Sequence, residues 1–113
     1  MSFQQLSSNF AVAGQISVED LTPIAQAGFK SIICNRPDNE GPDQTNFSII
    51  ENAAKALGLQ TRYLPAISGQ VSSDHGHAMA LLLKELPGPV LAYCRSGARS
   101  TNIWQLAQQS DSL

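Results

Sequence analysis

The sequence predicts a three-layer α/β/α domain on a small, mostly parallel sheet, and three observations carry that expectation. Strand-like and helix-like stretches alternate along the chain, as they do where helices cover a sheet. Lys30–Asn35 contains an apolar, β-branched run of the kind found in strands buried on both faces. Finally, 113 residues with 42% hydrophobic and 14% charged side chains suit one packed domain over residues 1–113.

The elements follow in order. Phe10–Ala13 is a short first strand. Ser17–Asp20 has the pattern of a capping box, but Pro23 would cost an interior hydrogen bond in a helix already one turn old. Thr22 as N-cap with Pro23 at the first helical position is the cheaper reading. Gly28 stops that helix, Lys30–Asn35 forms the second strand, and Arg36-Pro37-Asp38 breaks it. A polar loop over 37–45 precedes a helix marked by Phe47, Ile50, Ala53, Ala54 and Leu57, which Gly58 closes. Thr61–Ile67 reads as a third strand whose end Pro65 demotes to an edge or exit. After a loop over 68–73, Met79, Leu82, Leu83 and Leu86 share one face of a helix that Pro87-Gly88-Pro89 ends. Val90–Tyr93 is the fourth strand. A last helix runs from Gly97 to about Gln109, partly burying Ile103, Trp104, Leu106 and Ala107.

Charge and hydropathy exclude several classes of partner. Seven Lys plus Arg against nine Asp plus Glu give a net charge of −2, so nothing supplies the counterion release that drives nucleic-acid binding. Neither nucleic acid nor an anionic membrane surface is an expected partner. The longest apolar stretch, Ala78–Leu83, falls well short of the ~18 residues a membrane span needs. Met1–Gln5 has neither a basic segment nor a following apolar run, so no secretory signal is visible and cytoplasmic residence is the default expectation. Cys34 and Cys94 are too few for a disulfide scaffold and are expected to be reduced there.

The chemistry concentrates at Tyr93–Ser100, where a cysteine ends an apolar strand and a glycine turn leads into a helix. Backbone N–H groups converge at such a turn, and the helix dipole adds roughly half a positive charge, so the loop cradles an anion without metal. The first anion it stabilises is the thiolate of Cys94. Arg95 and Arg99 add positive charge, the surroundings that give reactive cysteines their low pKa. A small buried hydrophobe is the alternative for any strand cysteine. It requires neither Gly97 nor the two arginines. Neither a G-x-G-x-x-G nor a P-loop lysine pattern is present to suggest a nucleotide.

Cys94-Arg95-Ser96-Gly97-Ala98-Arg99-Ser100 resembles the active-site loop of single-domain rhodaneses, C-x-x-G-x-R-S, whereas cysteine phosphatases carry one residue more, C-x-x-G-x-x-R. Elsewhere Gly14–Ser17, Ala27–Ile33 and Asn35–Asp38 resemble the dual-specificity-phosphatase fold. From about Phe10 to Gln109 the chain is similar to the phosphatase-like domain of the beta-lactamase-hydrolase-like proteins, also described as sulfurtransferases. The resemblance implies a cysteine-phosphatase-like fold, no cofactor, no metal, and a fused or separate metallo-beta-lactamase-like partner. Cys94 and Arg99 are then the catalytic residues, with Arg95, Ser96, Gly97, Ala98 and Ser100 forming the anion-binding loop. The favoured activity is transfer of sulfane sulfur through a Cys94 persulfide. The alternatives are hydrolysis of phosphate esters through a cysteinyl-phosphate, or a non-catalytic regulatory module.

The two chemistries ask different things of the loop, though each takes a small anionic substrate. A phosphatase must surround three phosphate oxygens, hold an arginine fork to them and supply a general acid. A persulfide is smaller, and a shorter ring suits it. Asp74 is the nearest candidate acid upstream of Cys94, but at a helix N-terminus an acidic residue is more often a cap or dipole partner. His75 and His77 are not three or four apart, so they share no helical face for a metal. Arg36 stands beyond the carboxyl end of a buried strand, where α/β sheets place functional groups. Either it joins the rim of the site or it pairs with Asp38 or Glu40 at the surface. Cys34 ends the same strand; a buried inert thiol is the better reading, though neighbouring strands would let the two sulfurs approach.

Overall fold

The computed structural model describes residues 2–111, in which β1 (Phe3–Ser7), β2 (Phe10–Ala13), β3 (Ser31–Cys34), β4 (Gln60–Tyr63) and β5 (Val90–Tyr93) form one sheet. Its order is β1-β2-β5-β3-β4. β2, β5, β3 and β4 are mutually parallel, while β1 pairs antiparallel with β2. Four helices cover it: α1 (Leu21–Gln26), α2 (Phe47–Ala56), α3 (Ser73–Glu85) and α4 (Ala98–Asp111). Leu21 and Ile24 of α1 and Phe47, Ile50 and Ala54 of α2 pack on the face carrying Ala11, Ile32, Leu91 and Tyr93. Met79 of α3 and Ile103 and Ala107 of α4 pack on the opposite face against Phe10, Val12, Ile33 and Ala92. The expected three-layer, mostly parallel architecture is therefore present, and the strand alternation divides the core between its two faces.

Three expectations need correction. β1 was not anticipated, because Phe3–Ser7 is largely polar and exposed and lacks the alternation that marks a half-buried strand. Backbone pairing to β2 and an edge-on contact between Phe3 and Phe29, 5.2 Å between ring centroids, hold it. α1 begins at Leu21 rather than after Thr22. The Ser17 amide donates to Asp20 Oδ2 at 2.9 Å, and a 3-10 turn over Val18–Asp20 leads straight into the helix. Pro23 thus lies in the first turn of α1, where helical N–H groups have no intrahelical partner to lose. β4 is shorter than Thr61–Ile67. Leu64 and Ala66 still donate to the carbonyls of Cys34 and Asn35 at 2.9 and 3.0 Å, and Pro65 sits between them. On this edge strand its missing N–H faces away from the sheet.

α3 and α4 lie unusually close. A Cβ at Gly76 would come within 2.6 Å of Leu106 Cβ, so only glycine permits this approach. Because α4 starts immediately after the Cys94 turn, that packing also fixes where the turn sits. β5, between β2 and β3, delivers Cys94 to the carboxyl edge of the parallel strands, where such sheets bind ligands.

Candidate active site

Tyr93 ends β5 and Ala98 begins α4, so Cys94–Gly97 makes the whole connection. The turn is tight because Gly97 adopts φ +94°, a conformation that a side chain disfavours. The Gly97 amide then donates to Cys94 Sγ at 3.1 Å. Neighbouring segments strap the turn in place. The Cys94 amide donates to the Ala13 carbonyl and the Gln15 amide to the Arg95 carbonyl, both at 3.3 Å. Gly14 is packed so closely that a Cβ there would lie 3.0 Å from the Arg95 oxygen.

Cys94 is only 1% exposed, and burial pushes its thiol up. The backbone amides of Ser100, Ser96 and Gly97 together with the Ser100 hydroxyl outweigh that penalty, and the net shift is downward. Ser100 is itself fully buried, and its hydroxyl has no other hydrogen-bond partner. Cys94 is therefore buried, yet in surroundings that favour its anion. Cys34 is the contrast. Burial raises its pKa, and its Sγ donates to the Arg36 carbonyl at 3.2 Å. It lies in register with Tyr93 and in the same core cluster, on the α1/α2 face of the sheet, while the Cys94 sulfur turns to the Gly97 amide. β3 does neighbour β5, but Cys34 behaves as a core thiol.

Arg99 and Arg36 converge on a residue that the sequence reading placed only at the surface. Arg99 Nη1 and Nη2 donate to Oε2 and Oε1 of Glu40, each at 2.7 Å, and Nη1 also donates to the Ala66 carbonyl at 2.9 Å. Arg36 Nε donates to the same Oε1 at 3.0 Å, and its Nη1 to Gln15 Oε1 at 3.0 Å. The Arg99 bonds hold the Glu40 carboxyl at about 2 against the opposing effect of burial, and the Arg36 bond adds to them. Arg99 is in turn held more firmly protonated, first by Glu40 and further by Cys94. The two readings of Arg36 merge: it pairs with Glu40 and it lines the mouth of the site.

That mouth is a cavity of about 680 Å³ bordered by Gln15, Arg36, Glu40, Ile67, Arg95 and Arg99 among others. Asp74 is exposed in the first turn of α3 and does not border it. His75 accepts from the Ser72 amide, and His77 contacts Ser110 on α4. Among the described residues no three His, Cys, Asp or Glu side chains cluster as metal ligands would. No helix among them is long and apolar enough to cross a membrane. The sequence reading named Glu40 only as a surface partner of Arg36 and missed its pairing with Arg99, and it missed Gln15 altogether. Glu40 carried one usable signal, a carboxylate four residues after an arginine that follows a buried strand.

Comparison with known proteins agrees with this fold. The family model described as the phosphatase-like domain of beta-lactamase hydrolase-like protein matches residues 2–111. A beta-lactamase hydrolase-like protein of Agrobacterium fabrum is 30% identical over 98% of this chain, and the chain spans 26% of that relative's length. The solved structure of an inferred phosphatase from Neisseria meningitidis Z2491 superposes with a TM-score of 0.90 at 29% identity, covering 100% of this chain and 80% of the other. The active form of Tk-PTP shares the fold, with a TM-score of 0.66 at 16% identity over 85% of this chain and 63% of that one.

Proposed function

Because the chain belongs to the beta-lactamase hydrolase-like family through its phosphatase-like domain, we propose that it works as a cysteine-thiolate enzyme that forms a covalent intermediate on Cys94. The carrying observation is the ring of amides around a sulfur whose pKa is lowered despite near-complete burial.

Kinship favours phosphate-ester hydrolysis through a cysteinyl-phosphate, the reading its relatives' descriptions support. Two features of this site favour sulfane sulfur instead, and we take sulfur transfer as the reading its geometry supports best. The ring is one residue shorter than the C-x-x-G-x-x-R pattern. The carboxylate that occupies the arginine fork, Glu40, is ionised at neutral pH and cannot protonate a leaving alkoxide. Sulfur transfer has no such requirement. With thiosulfate, the Cys94 thiolate attacks the outer sulfur, a new S–S bond forms, and the old S–S bond breaks to release sulfite with its electron pair. A thiolate or cyanide acceptor then takes the terminal sulfur and regenerates the Cys94 thiolate. Arg95 attracts the anionic donor, while the amides and the Ser100 hydroxyl stabilise the anion on sulfur.

The deciding experiment is mass spectrometry of the chain after thiosulfate treatment, beside a p-nitrophenyl phosphate assay, for the native protein and Cys94→Ser. One added sulfur on Cys94, absent in the variant, with feeble phosphatase activity is expected. Efficient ester hydrolysis without a persulfide from any sulfane donor would reverse the ranking. Activity undiminished in Cys94→Ser would remove the nucleophile itself. A metallo-beta-lactamase-like domain, fused or separate, is the partner proposed from the greater length of the relatives.

A further inference from the structure

Glu40 occupies the place on Arg99 that a substrate oxyanion would need. A carboxylate presents two oxygens to a guanidinium in the same paired geometry as two oxygens of phosphate or sulfate. Both Nη atoms are used at 2.7 Å, and Arg36 Nε donates to Oε1 of the same carboxylate at 3.0 Å. The position is built rather than incidental. Gln44 Oε1 accepts from the amides of Glu40 and Gly41 at 3.0 and 3.3 Å, and Gln44 Nε2 donates to the Pro37 carbonyl at 2.8 Å. Asp38 Oδ1 accepts from the Phe47 amide at 2.8 Å, which ties the loop to the start of α2. A Cβ at Gly41 would meet Arg36 Nη2 at 2.8 Å, so the loop lies flush against the arginine.

We infer that Glu40 is a specificity-determining residue: by filling the arginine fork beside Cys94 it turns away phosphate and other oxyanions whose oxygen-bearing central atom must itself reach the sulfur, and leaves the loop to donors whose transferred atom carries no oxygens. This rests on the reading of Cys94 as nucleophile in the preceding subsection and assigns its selectivity to one side chain. Its two arginine partners hold the Glu40 carboxyl at about 2, so the exclusion applies at neutral pH. The oxygens of phosphate would have to displace the carboxylate from two arginines and then lie beside its charge. A sulfane sulfur need only reach Cys94.

The test is calorimetric titration of the native chain, Glu40→Gln, Glu40→Ala and Glu40→Asp with inorganic phosphate at neutral pH and fixed ionic strength, with thermal melts confirming the fold of each. Phosphate affinity should rise at least about tenfold in Glu40→Gln or Glu40→Ala, the equivalent of about 1.4 kcal/mol, and stay near the native value in Glu40→Asp. Unchanged or weaker binding in both neutral variants would overturn the proposal and leave Glu40 as a prop for Arg99. Should Glu40→Gln fail to fold, Glu40→Ala decides by the same criterion. Binding is read without turnover. A missing persulfide on Cys94 would therefore refute sulfur transfer and not this assignment, while an unchanged phosphate affinity would do the reverse.

Discussion

Gly97→Ala separates what the Cys94 turn costs from what it does. Gly97 has φ +94°, and an L-residue forced into left-handed backbone conformations loses ~1–2 kcal/mol. No steric surcharge applies, because the new Cβ would lie 3.5 Å from the Ala13 oxygen and 3.6 Å from its carbonyl carbon, ordinary contact distances. With an unfolding entropy of ~2.1 cal/mol/K per residue over 113 residues, each kcal/mol moves the melting temperature by about 4 °C. A fall of about 4–8 °C is therefore expected, leaving the protein folded at room temperature. Activity should suffer far more. The strain is relieved by rotating the turn, which draws the Gly97 amide from its 3.1 Å contact with Cys94 Sγ, and misplacement near an ångström costs ~10²-fold. Thermal melts followed by circular dichroism give the first quantity, and the rate of persulfide formation from thiosulfate gives the second. An unchanged melting temperature with undiminished turnover would show that the left-handed turn is not required.

Four further outcomes follow from the same geometry. Gly76→Ala forces α3 and α4 apart at Leu106, and overpacking of ~1–3 kcal/mol lowers the melting temperature by about 4–12 °C; a melt equal to that of the native chain would contradict the close approach. Iodoacetamide should label Cys94 before Cys34 throughout a pH series followed by peptide mapping, since the first thiol is shifted down and the second up; preferential labelling of Cys34 would reverse the assignment. Arg99→Ala should slow persulfide formation, since it removes a cation that interacts with Cys94 and leaves the Glu40 charge without its main partner, with Arg99→Lys recovering only part because lysine lacks the planar fork that pairs with Glu40; rates matching the native chain in both variants would mean that Arg99 plays no part in the chemistry. The Glu40 carboxyl, followed by carbon NMR, should titrate near 2. Its pairing therefore favours the folded state above its ordinary value near 4.5, and that contribution is lost as pH falls through about 2; a midpoint at 4.5 would mean that the fork is empty in solution.

The architecture was legible wherever apolar periodicity or turn chemistry was strong. Gly28 and Gly58 follow α1 and α2 with positive φ as expected, and the buried run at Ser31–Cys34 forms a parallel strand. β1 was not legible, because its stability comes from backbone pairing at a sheet edge, to which side-chain pattern is nearly blind. The Cys94 loop could be read as a strand-to-helix turn because its residues are contiguous. Glu40 could not be paired with Arg99 in the same way: they lie on different connections and meet only because β3 and β5 are adjacent in the sheet. Asp74 could be weighed only by its residue type and its place at a helix start. Its residue type suited a general acid, and only the fold shows that the first turn of α3 stays clear of the Arg99 mouth.

The single bond from the Gln15 amide to the Arg95 carbonyl reaches further than its length suggests. In a planar trans peptide the C=O of one residue and the N–H of the next point in opposite directions. Tethering the Arg95 oxygen outward to the segment after β2 therefore aims the Ser96 N–H inward, and that amide is among those lowering the Cys94 pKa. The peptide plane acts as a lever with its handle on one strand connection and its working end at the sulfur. Whatever shifts the backbone at Gly14 and Gln15 tilts that plane, so the acidity of Cys94 is set partly by the connection after β2.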